Sequence, residues 1–166
     1  MRTISIIFIV FLLLWFVFEI DRIPLIFQSP EEAYADFLDT TNQAEDMLMD
    51  PLILAGKNVV PLIIQETQNP KMELRRYAIH FLGNGKFVEA IPVLESILIN
   101  ENELDYFRGD ALASIFNIDP DLGLSLAKEY SFREDYLGNK AQEITTGENY
   151  YWVQRSFWEA FNNLHH

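Results

Sequence analysis

Leu74-Arg75-Arg76-Tyr77-Ala78-Ile79-His80-Phe81-Leu82-Gly83 returns 33 residues later as Phe107-Arg108-Gly109-Asp110-Ala111-Leu112-Ala113-Ser114-Ile115-Phe116. Arg75 falls on Arg108, Ala78 on Ala111 and Leu82 on Ile115. Self-similarity at such a period marks stacked helical units, each unable to bury its apolar face alone, and predicts an all-α fold rather than a single closed core. A stack of this kind offers a long surface for gripping a partner and seldom a deep catalytic pocket.

Working outward from that stretch, Asn69-Pro70 opens a helix over 71–82, which stops at Gly83-Asn84-Gly85. A second helix over 87–99 places Ile91, Leu94 and Leu98 on one face, completing a helical hairpin. The next unit runs over 103–117, turns at Ile118-Asp119-Pro120-Asp121 and returns over 122–130. A last pair, 132–146 and 148–164, is punctuated by Gly147. Upstream, Ser29-Pro30-Glu31-Glu32 is a strong helix start, with Ser29 as N-cap, Pro30 at the first helical position and Glu32 closing a capping box. That helix is expected to reach about residue 48, burying Ala33, Phe37, Ala44 and Leu48. Asp50-Pro51 repeats the cap-and-proline signal, Gly56 breaks the segment, and Val59-Val60-Pro61 opens a further helix to about residue 68. No window alternates apolar and polar residues long enough to call for a strand.

The pattern Leu-Arg-x-x-Ala-x-x-x-Leu-Gly-x-x-Gly, followed by Ala90-Ile91-Pro92-x-Leu94, resembles the HEAT-like repeat of the phycobilisome-lyase type. Phe107-Arg108-x-x-Ala111 is similar to the opening of the following repeat, and Val60-Pro61-Leu62 resembles the second helix of an earlier, degenerate copy. The close match covers residues 70–130. The resemblance implies a short right-handed alpha-alpha superhelix of antiparallel helix pairs, used in that family mostly for protein–protein contact. Its consensus consists of packing residues, so it speaks to fold and little to function.

At the N-terminus, residues 3–18 are uncharged and almost wholly apolar, closed by Arg2 on one side and Glu19 on the other. As a helix at about 1.5 Å per residue, residues 3–20 nearly cross a hydrocarbon layer of roughly 30 Å. A cleaved signal would be followed promptly by small residues, whereas Glu19-Ile20-Asp21-Arg22-Ile23-Pro24 follows, and Ala33-Tyr34-Ala35 lies too far downstream. The expected division is a transmembrane signal-anchor helix over 1–22, a linker over 23–28 and a helical repeat domain over 29–166. Arg2 and the free amino terminus face a single Arg22, with no further basic residue until Lys57. The positive-inside rule then places the N-terminus in the cytoplasm and the repeat domain beyond a bacterial inner membrane, in the periplasm.

Twenty-five acidic against twelve basic residues in 166 give a formal charge of -13. Such a chain repels nucleic acid and anionic headgroups and favours basic partners. The absence of cysteine excludes disulfides, thiolate metal sites, a thiol nucleophile and a lipoprotein anchor. Asn117-x-Asp119-x-Asp121-x-Gly123 has the look of a calcium loop, but its glycine comes one place late and Lys128 occupies the bidentate glutamate position. Asp119 is better explained as the cap of a helix whose first residue is Pro120. His80 stands mid-helix with no second ligand at metal spacing, and His165 and His166 are terminal. Arg75 and Arg108 recur at the repeat period, as a structural ladder predicts, each meeting an acidic neighbour such as Glu73 or Asp110. Gly83-x-Gly85 follows no strand and is no phosphate loop. No cofactor, metal or catalytic residue is expected, and the chain reads as a non-enzyme.

Two features point to binding. Glu31, Glu32, Asp36, Asp39, Glu45, Asp46 and Asp50 occur with no basic residue between Ile23 and Gly56. Glu89, Glu95, Glu101, Glu103, Asp105 and Asp110 form a second acidic group tempered only by Arg108. On the last helix Tyr150, Val153, Phe157, Ala160, Phe161 and Leu164 make one stripe that caps the stack against a preceding helix, while Tyr151 and Trp158 lie beside it and Trp152 points away. Glu31, Glu32, Asp36, Asp39, Glu101, Glu103, Asp105, Tyr151 and Trp158 are the partner-binding residues expected. The expected function is a non-enzymatic, membrane-anchored protein–protein interaction module that binds and masks a basic protein outside the cytoplasm. Its layout resembles that of membrane-tethered immunity proteins. The alternatives are an accessory or assembly subunit of a membrane complex, self-association through the aromatic residues, and an enzyme similar to the bilin-attaching lyases, which would need a pocket lined by paired polar groups.

Overall fold

The computed structural model describes residues 28–41, 44–148 and 155–162. The anchor expected over 1–22 lies outside them, as do Tyr150, Tyr151, Trp152, Val153 and Leu164. The described residues are all-helical, without a strand.

Helix α1 (Pro30–Leu38) opens as its sequence dictates: the Ser29 hydroxyl accepts from Glu32 N–H at 3.2 Å and the Glu32 carboxylate accepts from Ser29 N–H at 2.8 Å. It stops about ten residues earlier than expected. Asp39 is extended, and its carboxylate accepts from both the Thr41 N–H (3.1 Å) and hydroxyl (2.6 Å), a local turn that outcompetes the next helical bonds. A 3-10 turn (Glu45–Met47) leads to α2 (Asp50–Ala55), in which Asp50 and Pro51 are the first helical residues and Met49 is the cap. Gly56, with φ 59° and ψ -135°, takes a conformation that only glycine adopts freely, and a 3-10 turn (Gly56–Val59) passes the chain to α3 (Val60–Glu66). By length and composition, the run Glu45–Glu66 could cross a membrane, yet more than half of its most apolar stretch is buried inside the fold. Leu52, Val59, Val60 and Ile63 in this run are core residues.

Five helices form the centre of the molecule: α4 (Arg75–Asn84), α5 (Ile91–Ile99, entered through a 3-10 turn at Val88–Ala90), α6 (Asp105–Ile118), α7 (Pro120–Tyr130) and α8 (Tyr136–Thr146). The Asp119 carboxylate accepts from Asp121 and Leu122 N–H, so Asp119 caps α7 as expected. Gly147 closes α8 in the left-handed conformation. Helix α4 ends at Asn84 with Gly85 as its cap, within the expected Gly83-Asn84-Gly85 stop, and at Gly83, its penultimate residue, a Cβ would come within 2.5 Å of the Ser114 side chain. Gly83 thus also permits a close crossing of α4 and α6.

Helix α6 is the hub. Helices α4, α5, α7 and α8 all pack against it, and α7 and α8 also pack on each other. Ala78 and Ala111, matched across the 33-residue offset, are both fully buried, as are Leu82 and Ile115. They lie in the seam that packs α6 against its neighbours. Burying Phe81, Leu82, Leu94, Leu98, Leu112, Ile115 and Leu137 in this seam stabilises the fold by roughly 1.5–3 kcal/mol per side chain before conformational entropy is set against it. The last described helix, α9 (Phe157–Asn162), packs on α2, far back along the chain, burying Ala160 and Phe161.

Candidate functional site

All five arginines among the described residues are engaged within the fold. Arg75 and Arg108, in matching sequence positions, make matching contacts. Arg75 Nε donates to Thr67 O (2.7 Å) just past α3, and Arg108 Nε donates to Leu98 O (2.8 Å) in the last turn of α5. Each guanidinium faces a ring, Phe107 at 4.9 Å and Tyr130 at 5.8 Å. A buried arginine thus satisfies a helix-end carbonyl that would otherwise lack a partner. Arg75 finds its acidic neighbour in Glu103 (2.6 Å). Arg133 pairs with Asp135, and Arg155 with Asp50 (3.4 Å) and Asp46 (3.8 Å).

Arg76 belongs to a second charge cluster, centred on the buried Asp110. Asp110, 1% exposed, accepts from Arg76 Nε at 2.6 Å and from the Tyr136 hydroxyl at 2.8 Å, and His80 Nε2 lies 3.3 Å away. Burial alone would push the Asp110 carboxyl up, but the bonds and charges of His80, Arg76 and Tyr136 outweigh it and hold the group below its usual value. Arg76 also donates to the Tyr136 oxygen at 2.9 Å. The cluster joins α4, α6 and α8 and works as a clamp.

With the arginines turned inward, the surface is left to the acids. Thirteen acidic side chains among the described residues are exposed, against four lysines: Lys57, Lys71, Lys86 and Lys128. The expected binding residues divide accordingly. Glu31 and Glu101 are exposed. Glu32 and Asp39 are exposed but serve local caps and turns, and Asp36 accepts from Gln28 at 2.6 Å. Glu103 is drawn inward by Arg75, and the Asp105 carboxylate accepts from Tyr136 N–H at 3.0 Å. Trp158 is 65% exposed, packed edge-on against Phe157 and Phe161. Tyr151 lies outside the described residues.

Asp50 is the odd member of the acidic set. It is 6% exposed, Oδ1 has no hydrogen-bond partner, and burial pushes its carboxyl up to about 6 against the opposing pull of Arg155, with Asp46 and Glu159 adding to the rise. A carboxyl raised on folding binds its proton more tightly in the native state, so its contribution to stability is greatest in acid and is lost as pH rises through about 6. Thermal stability should therefore increase on going from neutral pH to just below 6. Asp50→Asn should flatten that rise and stabilise the protein at neutral pH by about 1 kcal/mol, below the roughly 3 kcal/mol limit set by a shift of this size. Melting curves of both proteins across this range check it.

One surface combines exposed charge with exposed apolar side chains: the edge where the α5–α6 turn meets the α7–α8 turn. Ile99 (63% exposed), Leu104 (55%) and Phe132 (80%) project there, accompanied by exposed Glu101 and Glu134. The turns abut: Arg108, on α6, reaches both Leu98 O and the Tyr130 ring, Asp105 holds the first amide of α8, and Glu101 acts electrostatically on Arg133. Sequence reasoning singled out Glu101, Glu103 and Asp105 at this edge, and none of its apolar side chains. The missed signal was the same 33-residue offset, which carries Ile99-x-Glu101 onto Phe132-x-Glu134. On the opposite side, a cleft of about 300 Å³ is lined by Asn84, Lys86, Phe116, Asn117 and Pro120, with Asn117 donating to Asn84 at 3.2 Å. No protein-family model, no curated protein and no solved structure matches the chain.

Proposed function

We propose that this protein is a non-enzymatic interaction module whose acidic surface binds and masks a basic protein partner, in the manner of an immunity protein or inhibitor. In this reading the helix pairs form a HEAT-like, right-handed stack. Residues 3–20 tether it to a bacterial inner membrane with the stack on the periplasmic side, where a secreted partner would arrive. The observation that carries the reading is the separation of charge by sign: arginines are tied into helix ends and clamps, and thirteen exposed carboxylates face outward against four lysines. Ion pairs, caps and local turns account for Glu32, Asp39, Asp46, Glu103, Asp110 and Asp135, but Glu31, Glu89, Glu101, Glu129 and Glu134 make no such contact among the described residues. A basic protein approaching it would be steered and retained by charge complementarity.

The test is capture of the partner from detergent-solubilised membranes with the full chain as bait, identification by mass spectrometry, and titration of the purified pair. The captured protein should be basic. Reversing Glu31, Glu89, Glu101 and Glu129 to lysine should weaken binding by about tenfold or more, since rim charges contribute on the order of 0.2–1 kcal/mol each. An acidic partner, or an affinity untouched by the four reversals, contradicts the proposal.

A further inference from the structure

Helix α9 is six residues long, and among the described helices it packs extensively on α2 alone. Its attachment has an apolar half and a charged half. Ala160 and Phe161 are buried, with the Phe157 ring stacked on Phe161. Just before the helix, Arg155 lies 3.4 Å from Asp50, the first residue of α2, and 3.8 Å from Asp46. Glu159, on α9 itself, also acts on Asp50. One arginine thus stands among three carboxylates, and the buried one, Asp50, has an oxygen without a hydrogen-bond partner. We infer that α9 is a strap fastened by protonation of Asp50: it lies on α2 in acid and lifts more often at neutral pH, uncovering Ala160, Phe161 and the face of α2 beneath them.

The direction follows from what Asp50 gains and loses as α9 leaves. With the strap down, burial raises the carboxyl to about 6 and outweighs the pull of Arg155, while Asp46 and Glu159 add to the rise. With the strap lifted, Asp50 sheds that cover together with Arg155 and Glu159, and moves back toward the ordinary 3.8. The strapped state therefore holds the proton more tightly. Docking is strongest in acid and weakens as pH rises through about 6. The other charged groups packed around α2 are Glu31, Glu32 and Asp36 on α1, Glu45 before α2 and Lys57 after it. Glu32 is committed to the cap of α1, Asp36 to Gln28 and Glu45 to the Tyr77 hydroxyl. None of them belongs to α9, so their effect on Asp50 is common to both states. If Asp50 regained 3.8 in full, the docking equilibrium would fall by about tenfold between about pH 5 and about pH 7.5, which is the upper limit.

The chain contains no cysteine, so Ala160→Cys supplies a single thiol at a buried position of the strap. In the full chain held in lipid nanodiscs, its rate of maleimide labelling, divided by that of the denatured protein at the same pH, reads how often the strap lifts. That ratio should rise by about threefold to tenfold between about pH 5 and about pH 7.5. Hydrogen exchange over 157–162, corrected for its intrinsic rate, should rise with it and stay far faster than exchange over α4 and α6. Asp50→Asn should leave the ratio level across that range. Arg155→Gln, which removes the cation that steadies the ionised carboxyl, should steepen the rise, and it decides the matter if circular dichroism shows that Asp50→Asn is unfolded. A level ratio in the wild-type strap overturns the inference. So does a ratio that falls as pH rises, which would make the Arg155 ion pair the stronger hold, or a rise that persists in folded Asp50→Asn. Exchange over 157–162 as slow as over α4 and α6 overturns it as well, because the strap would then leave only when the whole fold opens.

Discussion

Replacing Asp110 with alanine is expected to destabilise the protein by about 3 kcal/mol, a large share of the roughly 5–15 kcal/mol that holds a domain of this size together. Asp110 is buried where α4, α6 and α8 meet, and its two oxygens gather Arg76, Tyr136 and His80. Removing it leaves the Tyr136 hydroxyl without its acceptor and a positive charge without its counter-ion. The side chain of Arg76 is 42% exposed and can regain water, which limits the loss. Asparagine keeps the shape and one acceptor, so Asp110→Asn should cost about half as much. There is also a signature in pH. The Asp110 carboxyl is held below its usual value in the fold, so its contribution is present above that usual value and is lost as pH falls through the native one. Urea titrations should show the midpoint shifted with an unchanged slope, and the alanine variant should have a shallower acid limb.

The second large effect is expected at Gly123, where a single methyl group should cost about 2–3 kcal/mol. A Cβ on Gly123 would lie 2.3 Å from Phe116 Cα and 2.7 Å from Phe116 N, atoms of the α6 backbone that cannot swing aside. Alanine is intrinsically better in a helix than glycine by about 1 kcal/mol, so a net loss would show that close backbone contact governs this position. Prying α7 from α6 would also weaken the Arg108–Tyr130 contact and loosen the turn carrying Phe132. Gly123→Ala should therefore lower the melting temperature by several degrees and increase hydrogen exchange over 120–135. An unchanged melt would mean that the helix pair adjusts freely.

What could be read from the sequence alone was local or periodic. Ser29, Pro30 and Glu32 announce the start of α1, Asp119 and Pro120 that of α7, and Gly147 the end of α8, because capping is decided by a few neighbouring groups. The 33-residue offset paired Arg75 with Arg108; each Nε donates to a backbone carbonyl upstream of its own helix, though only Arg75 adds an ion pair, with Glu103. Features that depend on partners distant in sequence were not legible. Glu103 and Asp105 look like surface acids until Arg75 and the first amide of α8 are brought to them. Asp50 looks like a helix cap until α9 folds back and buries it. The early end of α1 turns on Thr41, whose amide and hydroxyl both donate to Asp39, a turn signal weaker than the helical periodicity around it. In the candidate edge, the acids were visible as composition. The apolar residues were not, because an isoleucine or phenylalanine at a helix end is by default counted as core.

The dependence of partner affinity on ionic strength tests the central claim most directly, since an acidic surface that recruits a basic protein must lose its hold as salt screens the charges. With the captured partner and the full chain, the dissociation constant should rise by about tenfold or more between about 50 and about 300 mM salt, and the slope should flatten when Glu31, Glu89, Glu101 and Glu129 are reversed. A dissociation constant that stays level across that range, in the wild type and the variant alike, would contradict the account.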